Sequence, residues 1–302
     1  MDASIVIATY NRKPLLEKCL NCLFNQDYPK DRYEIIVVDD GSTDGTGQMI
    51  KRKKSPCKLK YLPHSKRKGP AKSRNLGISS SKGEVVIFVD SDILAPPQFI
   101  KEHIRFHKIN PNLIVDGPAI SINEKDISST PFNHPKVKAL AFFDLFGASF
   151  ITANTSCRKE NLVKVKGFDE EFDIGFGWED KELGLRLKEM GLKRVKNRQA
   201  YALHLQKEKL PQNLISLCTK RKQIGTNAIL YYKKHPEAKI RKEIKLRYLS
   251  YDKFLSFFIK WEKIPLKLKE NKTHLTKIWV KFYLIHSYAQ GLREGMKRYN
   301  IH

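Results

Sequence analysis

The stretch Glu84-Val85-Val86-Ile87-Phe88-Val89-Asp90-Ser91-Asp92 decides the fold. Its five consecutive β-branched or aromatic residues read as a strand buried on both faces. Two runs of the same kind precede it, Ser4-Ile5-Val6-Ile7-Ala8 and Glu34-Ile35-Ile36-Val37-Val38, and Lys58 to Leu62 forms a weaker one. Helical patterns lie between them, from Pro14, from Asp44 to about Lys53, and from Pro70 to Ser79. Proline is favoured in a helix's first turn. Continuous apolar strands separated by helices predict a mainly parallel sheet covered on both faces, a doubly wound α/β domain with right-handed crossovers.

Beyond this alternation, residues 113–205 read as mixed, with short strands near Ile114, Ile151 and Ala202 and a helix from Asp180 to Met190. Leu183, Leu187 and Met190 share one face of that helix, and Gly191 follows its end. From 207 onward the chain is rich in Lys, Leu, Ile and aromatics and reads as several helices. The expected organisation is one α/β domain over 1–206, with halves of about 1–112 and 113–206, then a basic helical region over 207–302.

Of 302 residues, 57 are Lys or Arg and 32 Asp or Glu, a formal charge of +25 that calls for an anionic partner. No run reaches the roughly 18 apolar residues of a membrane-spanning helix. No charged and apolar leader precedes Ile5, so no secretory signal is expected. Cys19 and Cys22 form a CxxC pair, but they fall on an apolar helical face with Leu16, Leu20 and Leu23, which favours core cysteines over zinc or redox chemistry. Five cysteines without a leader point to a reducing compartment.

Ligands of doubly wound sheets bind beyond the carboxyl ends of the strands. Those ends here are Ala8-Thr9-Tyr10-Asn11-Arg12, Asp39-Asp40-Gly41-Ser42-Thr43-Asp44 and Asp90-Ser91-Asp92. Read as an extended segment, Asp90 and Asp92 project to one side and suit a hard divalent cation that also binds phosphate oxygens. The plain alternative is a strand end followed by a capping aspartate. Asp39-Asp40-Gly41-Ser42 is equally turn chemistry. Arg74 is open to either a phosphate contact or a solvated helix position.

Together, Ser4–Arg12, Val37–Asp44, Ser73-Arg74-Asn75-Leu76-Gly77 and Asp90-Ser91-Asp92, in this order and spacing, resemble family 2 glycosyltransferases of GT-A fold. Gly167-Phe168-Asp169-Glu170-Glu171-Phe172 and Gly177-Trp178-Glu179-Asp180 resemble the acceptor-side half of chondroitin-polymerase-like and galactosyltransferase-like members. The likeness covers roughly residues 3–206. It implies transfer of a sugar from a nucleotide-sugar donor, UDP-linked in the first instance, to a hydroxyl of a glycan or lipid-linked acceptor, with Mn²⁺ or Mg²⁺ as cofactor. Ala8, Thr9, Tyr10, Arg12, Asp40, Arg74, Asp90 and Ser91 would line the nucleotide. Asp92, with Asp90 and a late histidine, His204, would hold the metal. Asp180 would act as base in an inverting transfer, with Glu179 and Trp178 on the acceptor. Gly175-Phe176-Gly177 would form a loop over the donor. Glu179 and Asp180 also suit a helix cap, and Trp178 also suits a core.

In the last hundred residues, Lys253, Lys260 and Lys263 stand among Phe257, Phe258 and Trp261. That pattern fits the two faces of a helical domain, or a peripheral contact with an anionic membrane at its cytoplasmic face. Nucleic acid is a weaker partner for the charge, because the acidic rim repels phosphate backbones. A nucleotidyltransferase would open on a Gly-rich basic loop, which Ala8–Arg12 lacks.

Overall fold

The computed structural model describes residues 1–123, 132, 150–206, 214–258 and 274–301. It divides into two compact units, residues 1–173 with 179–207, and 174–178 with 208–302.

The first unit is built on a seven-stranded sheet. Its strands are β1 (Ala3–Thr9), β2 (Tyr33–Asp39), β3 (Lys58–Pro63), β4 (Val85–Val89), β6 (Leu113–Asp116), β8 (Asn154–Arg158) and β9 (Lys193–Lys196). Their order is β3-β2-β1-β4-β8-β6-β9. The apolar runs at β1, β2 and β4 are buried along their lengths and pair in parallel, Ile5 opposite Ile35 on one side and Ile87 on the other. Strand β8 is antiparallel to both β4 and β6, so the sheet is mainly rather than wholly parallel. A second, three-stranded sheet, β5 (Ile93–Leu94), β10 (Ala202–Gln206) and β7 (Ala119–Asn123), has β10 at its centre.

Helix α1 (Lys13–Phe24) buries Leu16, Cys19, Leu20, Leu23 and Phe24, a stripe at helical spacing, against one face of the large sheet. Each leucine contributes about 2 kcal/mol by burial. Cys19 is a core residue, as expected. Helix α2 (Thr46–Arg52) begins two residues later than the sequence suggests. The Asp44 carboxylate accepts from Thr46 N and Oγ1 and from Lys13 N, an Asp turn that delays the helix. Helix α4 (Phe99–Ile109) packs on the same face.

The opposite face carries α3 (Pro70–Ser80), α5 (Lys159–Lys164) and α6 (Glu179–Glu189). Helix α3 has almost no amphipathic pattern because small residues line its inner side. A Cβ on Gly77 would stand 2.3 Å from Val6 Cγ1, so only glycine lets α3 lie this close to β1.

The strand expected near Ile151 is displaced. Ile151 is 40% exposed, and the strand forms three residues later over Asn154–Arg158. Its buried residues are largely polar, which hides it from a hydrophobicity reading. Ser156 Oγ lies 2.9 Å from His103 Nδ1 and 2.8 Å from His107 Nε2, and Asn154 Oδ1 lies 2.9 Å from His103 Nε2.

The second unit contains α7 (Leu214–Lys234), α8 (Ala238–Glu243), α9 (Tyr248–Phe258) and α10 (His274–Tyr299). Helices α7 and α10 touch backbone to backbone where Gly225 meets Gly291. A Cβ on Gly291 would fall 1.9 Å from Lys222 O. Asp252, buried, accepts from Arg293 at 2.6 Å and faces His286 Nδ1 at 2.5 Å. The side chains of Phe257, Phe258 and Trp261 lie outside the described residues. Among the described residues no helix is long and apolar enough to cross a membrane.

Candidate functional site

The carboxyl ends of β1, β2 and β4 meet at one rim, and their loops are stitched together before any ligand is considered. Asn11, in the left-handed region at φ 51°, donates its N–H to Ser42 Oγ, and its Oδ1 accepts from Thr43 N. Asp39 accepts from Ser42 N and from the Tyr61 hydroxyl. Asp40 is buried, and its oxygens accept from Lys68 N at 2.6 Å and Gly69 N at 3.0 Å. The loop before α3 is thereby fixed over β2. Ala8 is half-buried. Thr9 Oγ1 is buried without a hydrogen-bond partner. Tyr10 is exposed, with the Arg67 guanidinium 4.6 Å from its ring centroid.

Asp90-Ser91-Asp92 is a tight turn and not the extended segment that its spacing suggests. Ile93 N donates to Asp90 O at 3.1 Å. The turn arises because β4 gives way at once to β5, which belongs to the other sheet. That junction sends the two carboxylates to different partners. Asp90 pairs with Arg74 at 3.3 Å. Asp92 is buried; its Oδ2 accepts from Arg12, and its Oδ1 faces His204 Nε2 at 3.4 Å. His204 reaches this position because β10 pairs with β5, His204 opposite Ile93, and Leu205 N donates to Asp92 O at 2.9 Å. Burial opposes ionisation of Asp92, but His204 and Arg12 outweigh it and lower its pKa. The facing Asp92 raises that of His204 against its own burial.

Arg74 is the electrostatic hub. It is 9% exposed, so the solvated-helix alternative fails. Its guanidinium meets Asp90 at 3.3 Å, Glu179 at 3.2 Å and Asp180 at 3.5 Å. Desolvation works against its charge, yet the three carboxylates raise its pKa. Glu179 and Asp180 open α6. Asp180 Oδ2 accepts from Thr152 N at 3.1 Å and Thr152 Oγ1 at 2.9 Å. Its Oδ1 and Oε2 of Glu179 are buried with no hydrogen-bond partner. One cation among three carboxylates leaves negative charge in excess. Burial, opposed by Arg74 and aided by Glu179 and Asp90, pushes the Asp180 pKa up to about 7.

Trp178 belongs to the second unit, at φ 80°. Its ring stacks on Tyr231 with centroids 5.1 Å apart, and its Nε1 donates to Ile224 O. Gly177 O accepts from Asn227, and Lys220 lies 3.8 Å from the Phe176 ring centroid. The segment expected to form a loop over the donor is thus anchored on α7.

Three contributors escape sequence reading. Thr152 orients Asp180 across 28 residues. Asp173 accepts from Ala71 N and Lys72 N, both at 2.8 Å, and seals the first turn of the helix that carries Arg74. Arg67 covers Tyr10. None has a local pattern, although Asp173 closes the run Gly167–Phe172.

Among the described residues no three His, Cys, Asp or Glu side chains gather as a metal cluster. The Asp92–His204 pair, with Asp92 Oδ1 buried against His204 and accepting no hydrogen bond, nevertheless fits a divalent ion that draws its remaining ligands from phosphate and water.

Comparison with known proteins agrees with this architecture. The profile "N-terminal domain of galactosyltransferase" matches residues 134–208. An uncharacterized glycosyltransferase of Bacillus subtilis is 29% identical over 64% of this chain and 62% of its own length. A validoxylamine A glucosyltransferase of Streptomyces hygroscopicus is 27% identical over 77% of this chain and 56% of its own. The chain therefore spans less than two thirds of these relatives. Among solved structures, a mannosyltransferase of Pyrobaculum calidifontis in complex with GDP-Man and Mn²⁺ superposes with a TM-score of 0.64 at 19% identity, over 97% of this chain and 87% of that one. At that identity the likeness shows the fold, a GT-A sheet. The profile "Glycosyl transferase family 2" covers residues 4–169, more than half of the 302, and by that match this chain belongs to glycosyl transferase family 2.

Proposed function

We propose that the protein transfers a hexosyl or N-acetylhexosaminyl group from a nucleoside-diphosphate sugar to an acceptor hydroxyl, with inversion and with Asp180 as the base. The observation that carries this reading is the Arg74 hub: a half-buried carboxylate whose Oδ1 faces Arg74 but accepts no hydrogen bond, a pKa near neutrality, and a threonine fixing its other oxygen. A general base works best when its pKa lies near the working pH. Asp180 Oδ1 takes the acceptor proton as the acceptor oxygen bonds to the anomeric carbon. The bond from that carbon to the diphosphate oxygen breaks, and the nucleoside diphosphate leaves. Arg74 keeps Asp90 and Glu179 from repelling the diphosphate, and Glu179 Oε2 is free for an acceptor hydroxyl.

Asp92 and His204 would hold Mn²⁺ or Mg²⁺, the mixed nitrogen and oxygen donors favouring Mn²⁺, while Asp90, paired with Arg74, stands apart from them. When bound, the ion would offset charge on the leaving diphosphate. Thr9 Oγ1, Tyr10, Arg12, Ala8, Ser91 and Asp40 surround the nucleotide end in this reading. A UDP-sugar is the first donor to try, since a solved Staphylococcus aureus structure of this fold is a complex with UDP-GlcNAc. The acceptor is a glycan or lipid-linked chain. Curated relatives include poly(ribitol-phosphate) transferases, matched over 35% and 44% of this chain. A cytoplasmic site, with peripheral contact at the inner membrane face, suits a lipid-linked acceptor.

The test is a thermal-shift panel of nucleotide sugars with and without Mn²⁺, followed by an assay of nucleoside diphosphate release. A metal-dependent shift for one donor, with turnover lost in Asp180→Asn, is the expected result. No shift with any nucleotide sugar would overturn the reading.

A further inference from the structure

Residues 45–83 hold twelve Lys or Arg and no Asp or Glu. The fold lays the first part of this stretch, to Lys68, along one border of the first unit, and the rest returns over a face of the sheet as α3. That first part ends α2, forms β3, and runs through the loop to α3. Strand β3 is the last strand of the seven-stranded sheet, so among the described residues its outer edge has no neighbouring strand. Leu59 and Tyr61 turn inward against the core, while Lys60 reaches Ser80 O at 3.4 Å on the other face. The ion pairs formed by this stretch are Lys53–Glu17, Arg67–Asp40, Lys72–Glu170 and those of Arg74, among the described residues. Lys51, Arg52, Lys54, Lys58, Lys66 and Lys68 are exposed. Lys51 to Lys58 cluster at the start of the strand, and Lys66 and Lys68 stand beyond its end. The six residues of β3 between them span about 20 Å.

We propose that this border docks a linear polyanion, a phosphodiester-linked polymer whose phosphates follow the strand edge. Two observations select a polymer over a membrane. The exposed cations stand in two narrow groups at the two ends of one edge strand. None of the exposed large hydrophobic side chains falls within 45–83, whereas surface-seeking segments pair their lysines with inserting apolar residues. The loop that closes the line is fixed on Asp40 and covers Tyr10, so the strip ends at the rim of the site. A chain held there has its free end at raised effective concentration near the site. The polymer's role as acceptor rests on the transferase reading; its binding does not.

The probe is long-chain inorganic polyphosphate, titrated at several salt concentrations. Charge-driven binding falls with salt at a slope of roughly −0.7 per contact, so four contacts lose about 50-fold in affinity between 50 and 200 mM. The variant Lys51→Gln/Arg52→Gln/Lys54→Gln/Lys58→Gln should lose at least about tenfold at 50 mM salt and flatten that slope, while the melting shift caused by a nucleotide sugar stays as in the wild type. If that variant fails to fold, Lys51→Gln/Arg52→Gln/Lys54→Gln, confined to the end of α2, carries the same comparison. Equal affinity of wild type and variant would overturn the proposal. So would binding of phosphatidylglycerol vesicles through these lysines with none of polyphosphate. A protein that binds polyphosphate but no nucleotide sugar would keep the strip and lose the transferase reading; the reverse would lose the strip alone.

Discussion

Asp39-Asp40 and Asp90-Ser91-Asp92 look alike in sequence, each an acidic pair at the end of a buried strand, yet the fold uses them in opposite ways. The first pair is satisfied by the protein itself. Its oxygens accept from Ser42 N, the Tyr61 hydroxyl, Lys68 N and Gly69 N. The second pair is divided, Asp92 on Arg12 and Asp90 on the deeply buried Arg74 that Glu179 and Asp180 share, and among these carboxylates buried oxygens of Asp92, Glu179 and Asp180 accept no hydrogen bond. A buried carboxylate that the chain has fully hydrogen-bonded holds the scaffold in place. One that the chain has left short is a candidate for a ligand contact.

That contrast can be broken in four ways. The largest effect should come from Asp180→Asn, which should lower kcat by about 10²–10⁴ through loss of the base. The same variant should melt no lower than wild type, because it removes a charge held close to Glu179 and Asp90. A drop in melting temperature without loss of turnover would make Asp180 a scaffold residue. Next, Asp92→Ala should abolish Mn²⁺-induced stabilisation, which in the wild type should reach about 2.7 kcal/mol at a hundredfold excess over Kd. A retained shift would remove Asp92 from the metal site. Third, Asp40→Asn should destabilise the fold by about 1–3 kcal/mol, seen by denaturant titration, since two backbone amides lose a charged acceptor. If instead it melts normally and loses only donor affinity, the two acidic turns are alike after all.

The smallest effect concerns pH. A base whose pKa is raised to about 7 is protonated below it, so kcat should fall as pH drops through about 7. For stability the sign is reversed. A carboxyl with its folded pKa above 3.8 adds stability at low pH and loses it as pH rises toward 7. Thr152→Val deletes a hydrogen bond to the charged form and should move the acid limb of the rate profile up by roughly half to one pH unit. An unmoved limb would mean that another group sets it.

Much of this was legible in the sequence, and for a physical reason. Strands β1, β2 and β4 are buried on both faces, so continuous runs such as Val85–Val89 announce them. The rim follows from where those runs stop, which is why Thr9, Asp40, Asp90 and Asp92 stand at it. The turn at Asp90–Asp92 was not legible, because it depends on β5 leaving for another sheet. Strand β8 was misplaced because its interior is Asn, Thr and Ser, satisfied by His103, His107 and Asp116 rather than by apolar packing. Arg74 was recognisable as a residue of interest, but its burial depends on Glu179 and Asp180, more than a hundred positions away.

The carboxylate of Asp173 sets a limit for anyone who would recombine this chain with its relatives. It seals the first turn of α3 from the far half of the sequence, while β8 wedges between β4 and β6. A chimera spliced between α4 and β6 would look modular on paper, nucleotide half from one parent and acceptor half from another. It would inherit its arginine from one parent and the carboxylates that position that arginine from the other, so recombinants should survive only when both parents agree at 74, 173, 179 and 180.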